Sequence, residues 1–149
     1  VEIVESKREL IIEELKSRLK SIDGVVRIIE GGGSIEELQD FPTVFIFEEQ
    51  EVSECTKIGM YEKTLPVQIE FFIKLSDTSL VYPEGRKVLR EITTALEIDD
   101  RFSELCVKYA MSANQIFEMR PGVVDVVVVY DFVYVEKFLG HDVRRPFNF

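Results

Sequence analysis

The chain has one histidine, two cysteines, fewer cations than anions and no apolar run longer than a strand. Each shortage closes a class of function. With His141 as the sole imidazole, no His-based metal cluster can form within one chain, and a Ser/His/Asp triad would have to be built on that residue. Lying beside Asp142 near the chain end, it reads as an exposed tail histidine. Cys55 and Cys106 have neither metal-ligand spacing nor the density of a disulfide-stapled secreted domain, so a reduced compartment is expected. Cys106 sits in an apolar strand pattern, as a buried and inert thiol does, while Cys55 lies among acids that disfavour a thiolate.

Lysine and arginine number 18 against 28 acids, a formal charge of -10, and no basic stripe is present to grip phosphates. The longest apolar runs, such as Val126 to Tyr130, fall far short of the roughly 20 residues of a spanning helix. The opening Val1-Glu2-Ile3-Val4-Glu5 is acidic, unlike the basic and then apolar order of a signal peptide. No phosphate-cradling pattern follows Gly31-Gly32-Gly33, because Ser34-Ile35-Glu36-Glu37 supplies neither the P-loop Lys and Ser/Thr nor the opening of a dinucleotide-binding helix. The triple glycine reads as a turn.

What is present is an ordinary folded composition, 46% hydrophobic and 31% charged over 149 residues, enough for one core. Glu2 to Ile22 is expected to be a helix, since Ile11, Ile12, Leu15, Leu19 and Ile22 recur at three- and four-residue steps. Acids gather toward its start and Lys16, Arg18 and Lys20 toward its end, in accord with the helix dipole. Asp23-Gly24 ends it. Val25 to Ile29 and Thr43 to Phe47 read as strands, Cys55 to Tyr61 as a further strand or hairpin arm, and Leu65 to Leu75 as a strand with one wet face. Pro83 opens a second helix running to about Glu97, with Val88, Leu89, Ile92 and Leu96 as its buried stripe. A strand near Cys106 to Ala113 is expected to break at Ser112-Ala113-Asn114-Gln115 and resume at Ile116 to Met119. After the Pro121-Gly122 turn, Val123 to Phe138 forms a long strand, central in its sheet.

The order α-β-β-β-β-α-β-β predicts an α+β domain over residues 1–139: a mixed, mostly antiparallel sheet with two helices packed on it in two layers. Residues 140–149 form a tail or arm. No cofactor or metal is expected. Glu48-Glu49 and Asp99-Asp100 offer paired carboxylates, but adjacent strand residues point to opposite faces and a solvated surface is favoured. Glu36 to Glu54 carries seven acids and no cation, so it must face water or a channel. Asp125 and Asp131 share one face of the last strand, at the margin of the buried zone or beneath another subunit. Arg144 and Arg145 precede Phe147 and Phe149; in a monomer this is a frayed end, and in an assembly an arm that fills a neighbour's pocket.

These elements in this order, from the helix Ile11 to Leu19 through Val25-Val26-Arg27, Phe41-Pro42-Thr43-Val44-Phe45-Ile46, the alternating Val67 to Leu75, the helix Gly85 to Leu96, Asp99-Asp100 and a two-strand finish near Val135, resemble the tail terminator proteins of long-tailed bacteriophages. The resemblance covers most of the chain. It implies a structural virion protein and not an enzyme: a hexameric ring in the tail or neck, assembled in the host cytoplasm, which caps the tail tube and joins it to the head connector. Its partners would be the tail tube protein, a connector or neck protein and, in contractile tails, the sheath. DNA would pass through without sequence-specific binding, with no membrane involved. On that reading Glu48, Glu49, Glu51 and Glu54 are candidate lumen residues, repelling phosphate, and Arg144, Arg145, Phe147 and Phe149 are candidate interface residues. The alternatives are a small adaptor or ligand-binding α+β module and, third, a carboxylate-metal hydrolase.

Overall fold

Ser6, in extended conformation, caps the first helix by accepting the Glu9 N–H at 3.2 Å. Ser6 and Glu9 have the spacing of a capping box. The helix α1 is therefore Lys7–Lys20, its start set by this cap and its end two residues before the expected Ile22, while the expected Glu2 to Glu5 part lies outside the described residues. The computed structural model describes residues 6–31, 38–99 and 101–137. Ile11, Ile12, Leu15 and Leu19 form the buried face of α1, and Gly24 takes the left-handed conformation (φ +86°) that turns the chain into the sheet.

The strands are β1 (Arg27–Glu30), β2 (Thr43–Glu48), β3 (Val52–Lys57), β4 (Met60–Lys74), β5 (Lys108–Arg120) and β6 (Val123–Lys137), with α2 (Val81–Glu97) between β4 and β5. Single 3-10 turns, Thr78–Leu80 and Arg101–Glu104, flank α2. The sheet runs β1-β2-β4-β6-β5, with β3 beside the first part of β4. Among the described residues only β1 and β2 are parallel; the other pairs are antiparallel. Two helices on a mixed, mostly antiparallel sheet give the expected two-layer α+β arrangement.

Strand boundaries depart from the sequence expectation in several places, β4 for one starting at Met60 and not Leu65. The first strand starts at Arg27 and not Val25, because Gly24 is still turning the chain. Cys55 to Tyr61 is not one strand: Ile58 and Gly59, the latter at φ +79°, make the hairpin turn between β3 and β4. Nor does Ser112 to Gln115 interrupt pairing, since β5 is continuous and absorbs Ser112 as a bulge, Met111 facing Tyr130 and Ala113 facing Val129.

The alternation of β4 and β6 divides the sheet. Leu65, Val67, Ile69 and Phe71 of β4, with Val124, Val126 and Val128 of β6, face the helices in the main core. Phe45, Phe72 and Val123 make a smaller cluster on the opposite face under Leu38 and Phe41. There Phe45 and Phe72 meet edge to face at 5.2 Å.

Candidate functional site

The acids expected to act together separate into two kinds. Glu48, at the end of β2, accepts from Arg8 Nε at 2.7 Å, and Glu51 lies 3.5 Å from Arg8 Nη1 and 3.8 Å from Lys63 Nζ. Lys63 also reaches Glu136 at 3.0 Å, and the Tyr134 hydroxyl donates to Glu51. Burial, with Glu51 as acceptor, raises the Tyr134 pKa and holds the phenol protonated. The hydrogen bond from Arg8 to Glu48 in turn raises the Arg8 pKa. Glu48 and Glu51 thus tie α1 to the sheet. By contrast, Glu49 and Glu54 are exposed and make no ion pair among the described residues. Arg8 and Lys63, which divide the set, carried no local sequence signal because their partners lie 40 and 12 residues away.

Glu54 stands directly opposite Glu62 across the β3–β4 hairpin. Like charges so placed repel, which disfavours the hairpin unless a cation comes from outside it. At the hairpin tip Ile58 is 91% exposed, and Val52 is 62% exposed on the same arm.

Asp125 and Asp131 fall on the face away from the helices, as their spacing predicts, but their surroundings differ. Asp131 is half-buried; Asp125 is 1% exposed, between Phe72 and Phe117 on the neighbouring strands, and its Oδ1 has no hydrogen-bond partner among the described residues. Burial pushes its pKa up to about 9, and the adjacent Glu70 carboxyl adds to the shift. Nothing in the sequence singled out Glu70.

The face of α2 opposite its buried stripe carries Arg86, Lys87 and Arg90, all exposed and without an ion pair among the described residues. The signal was legible as cations at i, i+1 and i+4 opposite Val88, Ile92 and Leu96. Beside them, an open cleft of about 820 Å³ lies between α2 and the end of α1, with Ile22, Thr94, Ala95 and Ile98 among its lining residues.

Cys106 is buried, donates to the Phe102 carbonyl at 3.0 Å and has its pKa pushed up to about 11 by burial, which keeps it a thiol. Cys55 is exposed and unbridged. Asp99 accepts from Arg18 at 2.5 Å and from the Arg101 N–H at 2.9 Å, the latter being the larger cause of its lowered pKa. Among the described residues no group of three His, Cys, Asp or Glu side chains is placed to hold a metal, and no helix is long and apolar enough to cross a membrane. Asp100, His141 and the candidate interface residues Arg144, Arg145, Phe147 and Phe149 lie outside the described residues, as do Gly32, Gly33, Glu36 and Glu37. No protein-family model and no curated protein matches the chain.

Proposed function

We propose that this protein acts through assembly, as a ring-forming subunit of the tail-terminator kind that caps a tube and presents its other face to a connector. The observation that carries this reading is strand β5. It is an edge strand of 13 residues that pairs with β6 on one side and, among the described residues, with nothing on the other. From Tyr109 to Phe117 it has no charged residue and no proline. Edges in monomeric proteins are usually short, charged or interrupted by proline, because an open row of backbone donors and acceptors is a template for another strand. The devices present here are two bulges, at Ser112 and at Met119, and charges confined to the strand ends. A long neutral edge suits a surface that another chain covers.

Within the ring, Glu49 and Glu54 are the lumen candidates whose charge no ion pair among the described residues offsets, whereas Glu48 and Glu51 serve the fold. Light scattering over a concentration series, with negative-stain images of any heavy species, tests the proposal. Closed particles with a central hole are the expected result. A monomer at every concentration, alone and with a tail tube present, would instead favour the adaptor reading.

A further inference from the structure

The α2 face and the β3–β4 hairpin complement one another but cannot meet within one chain. The base of the hairpin is joined to the first turn of α1 by Arg8, which pairs with Glu48 and Glu51. The cleft beside α2 is lined by Ser21 and Ile22, just beyond the other end of that helix. Fourteen helical residues separate these ends, roughly 21 Å at 1.5 Å per residue, and the hairpin tip extends farther away, where Met60 pairs with Lys137. One patch therefore lies at each end of the molecule.

Their chemistry matches. The hairpin offers an apolar tip, Ile58, with acids at Glu54 and Glu62 that face each other and have no ion pair among the described residues. The receiving face offers an apolar cleft at Ile22, Ala95 and Ile98, the last 71% exposed, with Lys87 and Arg90 at its rim. Exposed apolar groups at both sites lose water on contact. The opposed Glu54 and Glu62 gain cations that no described residue of their own chain provides, and Arg is a favoured interface anchor. Asp23 and Glu91, also in the cleft, can meet Lys57 beside the tip.

Resting on the ring-forming reading, we infer that the β3–β4 hairpin of one copy docks in the α2 cleft of the next, Ile58 against Ile22, Ala95 and Ile98, and Glu54 and Glu62 against Arg90 and Lys87. The contact is head-to-tail, so each copy both gives a hairpin and receives one, as a closed ring requires. It also turns Glu54 toward a neighbour and leaves Glu49 as the lumen residue.

Two full-length variants test the contact. One loses the donor (Glu54→Gln with Ile58→Asp) and the other the acceptor (Lys87→Glu, Arg90→Glu and Ile98→Asp); all five positions are exposed, and circular dichroism verifies that both fold. Each alone is expected to lose every species heavier than a monomer. Mixed, they should form a 1:1 heterodimer and nothing heavier, because one intact donor meets one intact acceptor while the other ends are both acidic. Assembly of either variant as in the wild type would overturn the contact and leave the ring standing. Two monomeric variants that fail to combine would also overturn it. A wild-type protein that never self-associates would remove the ring reading itself.

Discussion

Gly85 of α2 lies against Ile116 of β5 so closely that a Cβ added to the glycine would meet the isoleucine Cγ2 at 2.3 Å. The bulge at Ser112 sets up this contact. Without the extra residue, Met111 and Ile116, five positions apart, would point to opposite faces; with it, both pack against the helix side of the core.

Gly85→Ala is accordingly expected to destabilise the protein. The exchange gains ~0.8–1 kcal/mol in helix propensity, and overpacking against Ile116 costs ~1–3 kcal/mol. Urea denaturation should show a net loss, and Ile116→Ala should make Gly85→Ala favourable in the double variant. Equal effects of Gly85→Ala in both backgrounds would mean that the helix shifts away without resistance.

Arg18 closes the far end of α2. It is 6% exposed, lies 4.5 Å from the Phe102 ring centroid, donates to the Ala95 and Leu96 carbonyls at 3.3 and 3.2 Å, and pairs with Glu14 at 2.8 Å. Removing one partner of so enclosed a group leaves polar atoms without compensation, so Arg18→Leu should cost about 3 kcal/mol. Arg18→Lys should restore little, because an ammonium cannot span the carboxylates and both carbonyls at once. Denaturation midpoints of the two variants decide the matter.

Asp125 gives stability a pH dependence. Its folded pKa of about 9 stands above the ordinary 3.8, so between these values the folded state holds a proton that the unfolded state has released. Its contribution is full below about pH 4 and lost as pH rises toward 9. Thermal melts of the wild type should show this downward component, and Asp125→Asn, which keeps a donor toward Glu70, should flatten it. An unchanged slope in the variant would assign the dependence to other groups.

The acidic segment should respond to charge reversal residue by residue. Glu51→Lys replaces the acceptor of Tyr134 and the partner of Arg8 and Lys63, with an expected loss of ~2–3 kcal/mol. Glu49→Lys, at an exposed position, should stay within ~0.5 kcal/mol of the wild type. On the ring proposal, charge reversal aimed at the lumen therefore has to use Glu49, since reversal at Glu48 or Glu51 would confound its effect with unfolding.

Much of the fold was legible because it rests on short-range periodicity. Alternation in Leu65 to Leu75 fixed which side of β4 is buried, and the valine-rich run after Gly122 identified a central strand. The helix stripes of Ile11 to Leu19 and Val88 to Leu96 needed only a layer to cover. Errors arose where one residue changed the phase. Ser112 is a bulge and not a break because β6 continues to pair on both sides of it, and the Ile58-Gly59 turn divides a stretch whose β propensity is uniform.

The candidate site was less legible. Glu48, Glu49, Glu51 and Glu54 look alike in sequence, and which of them are neutralised depends on Arg8 and Lys63, brought near by the packing of α1 on the sheet. The same holds for Asp125, where burial and the neighbouring Glu70 came from strand register. By itself the sequence determined the order of the elements, the face each buries and the acidic excess, because these follow from local spacing and composition. Tertiary structure alone decided which charges cancel, which carboxyl loses water and which surfaces lie at opposite ends of the molecule, because Coulomb and desolvation energies depend on distance and burial in the folded chain and not on separation along it.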